Sequence, residues 1–389
     1  MPPRRNVPIL MATVAAMLVT RLTWGRLLPT YYATLGATER QIGTAFTLFS
    51  AAFALFQLLG GLIADRIGRK PVAVLPIFGV VVSVAWMARA EDWRALLVGH
   101  VALAVFASAQ SPGFTALLAE SVPPEERGRA FGAVSFASRL ANAAGPALGA
   151  WLLAFYSLPT LLWITVVVGA VVSLVRLLLL QETLHQTPQE PPAGLDGGSP
   201  SSPSPSVFLG FLLIGALYTL LFNLLFGGPF IALHARQAMG LNDRELNLLF
   251  ALGDGVAVLS APLAGWLGDR VGHRRMIAIA GGVMGLGILG WALLPPGSLG
   301  TLCFVLAAAA VPAASIAYSA LLTGAVGPAR RGAFVGLMGT LTGLLGSPAG
   351  RVGAELQVWA GPAAPFWAGL ATAATLALVL SLERRLVRR

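Results

Sequence analysis

Three ionisable residues fall deep inside long apolar runs of the sequence: Arg21, Arg139 and Asp254. A charge inside a membrane-spanning helix is unfavourable, so such a residue usually faces a water-filled cavity or a partner and marks an ion or substrate pathway. Asp254 is the only acid at this depth, about ten residues or roughly 15 Å into its run. Because a buried carboxylate without a partner takes up a proton, Asp254 is the candidate proton-coupling residue.

Two further pairs have helical spacing. Arg139 and Asn142 are three residues apart and would share one face of a helix. Glu355 follows Arg351 by four residues near the end of another apolar run, which suits a local ion pair. We interpret that second pair as structural.

Composition shows which elements must position these residues. Hydrophobic residues make up 56% of the 389, charged residues only 11%, and the mean hydropathy is +0.78. A soluble domain is about 25% charged, so the apolar excess predicts a membrane protein. The net charge of +10 does not imply nucleic acid here, because its placement follows the membrane topology. The single cysteine, Cys303, excludes an internal disulfide.

Twelve runs are long enough to cross a bilayer, which needs about 20 apolar residues. These predicted spans 1 to 12 are 8–30, 42–64, 71–89, 95–119, 130–153, 157–180, 207–231, 245–267, 276–294, 299–325, 333–357 and 363–382. Residues 181–206 are rich in Pro, Ser and Gly and predict a flexible cytoplasmic linker. The sequence thus predicts two six-helix bundles, 1–180 and 207–389.

Cations predict the orientation. With the N-terminus in the cytoplasm, seventeen Lys and Arg residues fall in inner segments, Arg176 among them, and five in outer loops. Because cytoplasmic loops carry the cationic excess, both termini are predicted to be cytoplasmic. The protein is expected to be multi-pass in the bacterial inner membrane.

The two halves repeat. The loop after span 2 reads GLIADRIGRK from Gly61 to Lys70, and the loop after span 8 reads GWLGDRVGHR from Gly265 to Arg274. Asp65 and Asp269 are 204 residues apart, and so are the Arg-Gly pairs that begin at Arg127 and Arg331. Parallel six-helix repeats are an architecture of secondary transporters.

These loops resemble the motif G-x-x-x-D-R-x-G-R-K of the major facilitator superfamily, which the first loop matches in full. The resemblance implies an all-α fold of twelve transmembrane helices in two pseudo-symmetric bundles. It also implies that the loops form a conformational gate, in which Asp65 and Asp269 would cap helix N-termini near Gly332 and Gly128. We expect Gly61 and Gly265 to allow close helix packing and Gly68 and Gly272 to allow a tight turn. The other gate residues would be Arg66, Arg69, Lys70 and Arg270.

Span 5 partly resembles the antiporter motif G-x8-G-x3-G-P-x-x-G-G of the drug-efflux branch. Gly132, Gly145, Pro146 and Gly149 match, whereas Ala141 and Ala150 replace two glycines. The small residues predict close packing against a neighbouring helix. One feature departs from this branch: His100 stands in span 4 where drug–proton antiporters usually have an Arg.

The resemblance also places a central cavity between spans 1, 4, 7 and 10, with span 5 contributing. The predicted substrate-cavity residues are Arg21, His100, Arg139, Asn142, Tyr218, Asn223 and Tyr318. Two or three cations and one acid would favour an anionic or zwitterionic substrate. Because spans 5 and 8 face each other in this family, we expect Arg139 and Asp254 to form a pair that breaks during transport. A static pair that fixes helix packing is the alternative.

The leading hypothesis is a monomeric secondary transporter that exports a small organic, anionic or amphipathic solute in exchange for protons. One alternative is a uniporter or symporter of an organic anion, and another is a membrane receptor or scaffold. Neither a nucleophile–base cluster nor a metal-ligand set is apparent, so we expect neither an enzyme nor a cofactor. The sequence also lacks a Walker-type phosphate loop, so we do not expect ATP to be the energy source. A proton gradient is the expected one.

Overall fold

The structure, a computed structural model, describes residues 3–183, 205–326 and 331–387, without the side chains of Asp65, Ser206 and residues 331–333 and 383–387. All regular elements in these ranges are helices. The first half contains α1 (Asn6–Leu22), a 3-10 turn (Gly25–Leu27), α2 (Leu28–Thr34), α3 (Glu39–Ile67), α4 (Arg69–Ala88), α5 (Trp93–Glu120), a 3-10 turn (Pro124–Glu126), α6 (Arg127–Leu152) and α7 (Leu158–Leu179). The second half contains α8 (Pro205–Phe222), a π-helical turn (Asn223–Gly227), α9 (Phe230–Gln237), α10 (Asp243–Val271), α11 (His273–Leu293), α12 (Ser298–Thr323), α13 (Arg331–Gly346), α14 (Ala349–Ala360) and α15 (Ala364–Val387).

The all-α membrane fold is confirmed. Ten of the twelve predicted spans, as far as the described ranges reach, coincide with helices long and apolar enough to cross a membrane. Span 5 falls short because α6 carries Arg127, Arg129 and Arg139 among small residues. Span 11 falls short because Ser347 and Pro348 divide it into α13 and α14, neither of which has 18 residues.

The described chain forms two compact units. Unit 1 holds residues 3–38, 48–183 and 241–251, and unit 2 holds residues 39–47, 205–240, 252–326 and 331–387. Each unit therefore includes one short segment from the other half of the sequence. The predicted bundle boundaries stay a prediction, and residues 184–204 of the predicted linker lie outside the described part.

In unit 1, α4 packs along α5 and α7, and α1 packs along α6. Its core includes the fully buried Leu10, Ala73, Leu117 and Leu118. Since lipid tails are as apolar as the helices, close van der Waals packing holds them together. Gly145 shows this, because a Cβ there would lie 2.6 Å from Leu22 Cβ of α1.

In unit 2, α11 packs along α12 and α15, and α8 packs against α13 and α15. One buried cluster joins Phe211, Leu322, Phe334 and Met338. Close approach again depends on glycine: a Cβ at Gly287 would lie 2.7 Å from the carbonyl oxygen of Cys303.

The two repeated loops turn at a glycine in the left-handed region. Gly68 has φ +112° just before α4, and Gly272 has φ +90° just before α11. Side chains other than glycine are disfavoured at such angles. The tight turn predicted from both loops is therefore confirmed.

Candidate functional site

Unit 1 contains an aromatic and cationic cluster around His100 of α5. The His100 ring stacks on Phe49 of α3 with centroids 4.4 Å apart, and its Nδ1 lies 3.2 Å from the Tyr32 hydroxyl. Arg21 lies on α1 in the same unit. His100 itself is only 2% exposed, whereas Arg21 is half-buried. The His100 ring is therefore less accessible than Arg21.

Arg139 and Asn142 lie half-buried on one face of α6. Within the described part of unit 1, neither side chain makes a hydrogen bond or an ion pair. Their N–H groups are therefore available to a ligand or to a moving partner. Asp254 is half-buried on α10 in unit 2, and its pairing with Arg139 stays a prediction.

Unit 2 contains a stacked tyrosine pair. The rings of Tyr218 on α8 and Tyr318 on α12 lie 4.8 Å apart at an interplanar angle of 25°. The pair depends on Gly215, one turn before Tyr218, because a Cβ at Gly215 would meet the Tyr318 hydroxyl and the Thr342 methyl. The sequence does not predict this role of Gly215, because it does not show that Gly215 faces Tyr318 and Thr342.

Two helix interruptions meet beside this pair. Span 7 contains the π-helical turn Asn223–Gly227, and span 11 breaks between α13 and α14. Asn223 Nδ2 donates a hydrogen bond of 3.1 Å to the carbonyl oxygen of Gly346, the last residue of α13. Irregular backbone at membrane depth is tolerated only inside protein or beside a water-filled cavity, and interrupted helices form substrate sites in transporters. Tyr218, Tyr318, Asn223 and the break after Gly346 are thus the candidate site of unit 2.

The first gate loop is held by a carboxylate that sequence reasoning missed. The backbone N–H of Arg69 donates to Oε1 of Glu182 at 3.1 Å, and that of Lys70 donates to Oε2 at 3.0 Å. Glu182 thereby caps the N-terminus of α4, where the exposed N–H groups and the helix dipole favour an anion. Arg69 Nε also forms an ion pair with Glu120 Oε1 of α5 at 3.2 Å, and Thr183 donates to the other Glu120 oxygen. The start of the predicted linker is thus fixed to this loop.

The remaining gate residues are less constrained. Arg66 and Asp269 are exposed, and the Arg270 guanidinium lies 3.9 Å from the centroid of the Trp266 ring. The Asp65 side chain and residues 327–330 lie outside the described part, as do the side chains around Gly332. The helix caps predicted for Asp65 and Asp269 stay predictions.

Three expected close packings of glycine are wrong. A Cβ at Gly61 would touch Pro112 only at an ordinary 3.8 Å, and at Gly265 and Gly132 it would meet no described atom within 4 Å. The close contact lies one residue earlier, at Gly60, where a Cβ would meet the backbone of Ala109. Neighbouring residues on a helix point about 100° apart, so a one-residue shift decides which glycine faces α5 most closely. Of the span 5 motif, Gly145 does pack closely on Leu22 of α1, and Gly149 packs on Thr23, the residue that follows α1.

Arg176 is a buried cation, not the cytoplasmic surface residue expected from the charge count. It is 1% exposed on α7 and stacks on the Phe114 ring. Its Nε donates to Thr13 Oγ1 at 2.8 Å. Its Nη1 donates to the Ala73 carbonyl and to Gln110 Oε1, each at 3.4 Å. Hydrogen bonds to neutral oxygens compensate for burial of this charge.

Each unit binds its short segment from the other half of the sequence by polar contacts. In unit 1, Asn247 Nδ2 donates to the carbonyl of Thr23 at 2.7 Å, and Thr30 donates to Asp243 at 3.3 Å. In unit 2, Glu355 accepts from Arg40 at 2.9 Å and from Arg351 at 2.6 Å. The predicted local pair of Arg351 and Glu355 is confirmed, and Arg40 extends it.

The sequence is similar to those of known membrane transporters. The sequence model of the Major Facilitator Superfamily matches residues 9–350. The multi-drug resistance efflux pump PmrA of Streptococcus pneumoniae is 27% identical over 266 residues, which cover 65% of this chain and 64% of the pump. The multidrug resistance protein MdtG of Dickeya zeae is 29% identical over 247 residues, 60% of this chain and 58% of MdtG. The match thus spans less than two thirds of each relative's length.

Solved structures of low sequence identity share the fold. The human organic anion transporter MFSD10 superposes with a TM-score of 0.70 at 20% identity, over 98% of this chain and 100% of that one. The POT family transporter PepTSo superposes with a TM-score of 0.79 at 15% identity, over 99% of this chain and 98% of that one.

Proposed function

Because the chain belongs to the Major Facilitator Superfamily, we propose that it is a secondary active transporter that exports a small organic solute in exchange for protons. It is a multi-pass membrane protein with efflux pumps among its relatives. The direction, the coupling ion and the solute class are the proposal. The most direct support for a transporter is that each unit includes one short segment from the other half of the sequence: 241–251 in unit 1 and 39–47 in unit 2.

Alternating access requires contacts that can break and re-form. The segment 241–251 is joined to unit 1 by a few polar bonds, such as Thr30 to Asp243 and Asn247 to Thr23. The segment 39–47 is joined to unit 2 by the exposed Arg40–Glu355 pair. An exposed ion pair contributes only about 0–1 kcal/mol, so the Arg40–Glu355 contact can open at little cost in free energy. They are the contacts that would open if each segment moved with its own half.

Export is supported by two observations. The relatives PmrA and MdtG are efflux pumps or resistance proteins. Gly145 and Gly149 of the antiporter-like motif pack closely on the end of α1 and on Thr23, which follows it, so this part of the motif has the packing role that its small residues suggest.

The proposed solute is amphipathic and anionic. Arg21 and Arg139 offer cationic N–H donors in unit 1, and the stacked Tyr218 and Tyr318 offer aromatic faces in unit 2. Guanidinium groups bind carboxylates and phosphates through paired N–H donors. Aromatic rings hold the apolar part of a solute with little loss of side-chain entropy.

Proton coupling is assigned to Asp254, a half-buried acid in an apolar helix. Protonation would remove its charge and release a partner, in this proposal Arg139. We also propose that the protein is a monomer. Both termini are proposed to be cytoplasmic, since sixteen cations besides the buried Arg176 fall in the inner segments of that topology.

Uptake or facilitated passage of an organic anion is the second candidate. It is favoured by His100, which stands where the efflux branch usually has an Arg and is enclosed by Phe49 and Tyr32. A buried ring of this kind does not offer a permanent charge to a proton relay.

Accumulation assays separate the two candidates. The chain would be expressed in a bacterium that lacks its own efflux pumps, and retention of fluorescent amphipathic anions and cations would be measured with and without a protonophore. We expect lower accumulation of anions, restored by the protonophore. Higher accumulation than in empty cells would instead establish uptake and overturn export.

A further inference from the structure

A membrane-facing groove at the turn between α4 and α5 is not used by the proposed transport path. It has a volume of about 340 Å³ and is lined by Val82, Ala85, Trp86, Arg89, Ala90 and Ala95. Val82 is 67% and Trp86 54% exposed, so the groove opens on the outside of unit 1. We call it the Arg89 groove.

The wall of the groove is fixed in place. Trp86 Nε1 donates a hydrogen bond of 2.9 Å to the Ala95 carbonyl, which joins the Trp86 side chain of α4 to the start of α5. Asp92 caps α5 by accepting from the N–H groups of Arg94 and Ala95 at 2.7 and 2.8 Å. The groove is thus formed before any ligand arrives.

Arg89 supplies the polar end of the groove. Its guanidinium lies over the Trp163 ring of α7, 5.2 Å from the centroid. The contact is made to the face of the Trp163 ring and involves no oxygen acceptor at the N–H edge of the guanidinium. Within the described residues, that edge has neither a carboxylate nor a carbonyl acceptor. An exposed guanidinium held in this way presents paired donors to a phosphate.

The surroundings indicate the source of the phosphate. Tryptophans and arginines at the end of a membrane span mark the interface, where lipid headgroups lie. Below Arg89 the lining is apolar, formed by Val82, Ala85 and Trp86. A phospholipid fits both features, because its phosphate suits the cation and its acyl chain suits the apolar part of the groove.

We propose that the Arg89 groove binds one membrane phospholipid, with its phosphate on the Arg89 guanidinium and an acyl chain along Val82, Ala85 and Trp86. In the predicted orientation the lipid belongs to the outer leaflet. Its headgroup and chain would contact the C-terminal end of α4, Ala95 of α5 lines the same groove, and Arg89 rests on Trp163 of α7.

Native mass spectrometry of the full chain tests this site. The protein would be released from nanodiscs of phosphatidylglycerol and phosphatidylethanolamine, and retained phospholipids would be counted. We expect Arg89→Gln to retain one phospholipid fewer than the wild type, with apparent affinity about tenfold lower because one charge-assisted contact is lost. Ala85→Phe, which fills the apolar part, should give the same loss while Arg89 is intact.

The chain offers a matched control. Arg94 also lies over an indole, 5.1 Å from the Trp93 ring, but does not line the groove. Arg94→Gln should retain lipid as the wild type does, and equal loss in both Arg variants would overturn the proposal. Wild-type retention by Ala85→Phe would overturn it as well. So would full displacement by inorganic phosphate, or by an exported solute, since the occupant would then be a free anion or the cargo.

Discussion

The side-chain amide of Asn223 and the carbonyl oxygen of Gly346 are joined by a hydrogen bond of 3.1 Å. The bond links the π-helical turn in span 7 to the break between α13 and α14 in span 11. Two interruptions that are 123 residues apart in the sequence therefore stabilise one another. The stacked tyrosines lie on the helical turns beside this link.

Replacement of Asn223 tests the role of this link. Asn223→Leu keeps the branching and the number of side-chain heavy atoms but leaves the Gly346 carbonyl without its donor, so we expect about a tenfold fall in transport in a chain that still folds. Transport would be measured in vesicles together with thermal unfolding in detergent. Thr219→Val is the matched control: its hydroxyl bonds only within α8, to Gly215, and its methyl contact with Gly346 is retained. Equal transport in both variants would contradict a functional role for the link.

Removal of the Glu182 carboxylate tests the first gate loop. Glu182→Ala leaves two N–H groups of α4 without their acceptor, so we expect a loss of about 1 kcal/mol in stability, as for other helix caps. Gln181→Ala serves as the control, since the contacts of Gln181 with Asn6 use its backbone. Thermal unfolding of both variants would show the difference. A wild-type midpoint for Glu182→Ala would mean that the cap contributes nothing.

Two glycines of α6 should respond oppositely to alanine. At Gly149 a Cβ would meet the backbone of Thr23, whereas at Gly132 it would meet no described atom within 4 Å. Gly149→Ala should therefore lower the yield of folded protein, because backbone cannot move aside. Gly132→Ala should be neutral or stabilise by up to about 1 kcal/mol through helix propensity. Size-exclusion profiles and melting curves measure both, and tolerance of alanine at Gly149 would contradict the packing.

A reversible crosslink tests whether the segment 241–251 must move. Thr30 and Asp243 are joined by side chains 3.3 Å apart, so cysteines at both positions lie within reach of a short bifunctional thiol reagent. In a background of Cys303→Ala, we expect the reagent to stop transport by Thr30→Cys/Asp243→Cys and a reductant to restore it. Each single-cysteine variant should keep its activity. Undiminished transport by the crosslinked protein would show that this contact never opens.

The apolar runs were sufficient to predict the helices, because bilayer thickness sets both their length and their composition. The turns at Gly68 and Gly272 could also be predicted, since a short loop between two helices needs a positive φ. Gly60 was missed in favour of Gly61 because the direction of a helix face toward its neighbour depends on tertiary packing.

The partners of the charged residues Glu182 and Arg176 could not be predicted from the sequence either. In the sequence, Glu182 belongs to a polar linker and Arg176 to a cationic cytoplasmic end. Their roles come from partners more than 60 residues away, such as Arg69 for Glu182 and Thr13 for Arg176. The interruption at Asn223 was hidden for a similar reason, since its stabilising acceptor is the backbone of Gly346.

Transport by purified protein in proteoliposomes, driven by an imposed pH gradient, tests the central proposal most directly. We expect the wild type to move an amphipathic anion against its gradient in response to the pH difference. Asp254→Asn should lose this response while solute exchange without a gradient continues, because the cavity is retained and the titrating group is removed. A folded wild type that ignores the pH gradient, or an Asp254→Asn variant with full proton-driven transport, would contradict the account.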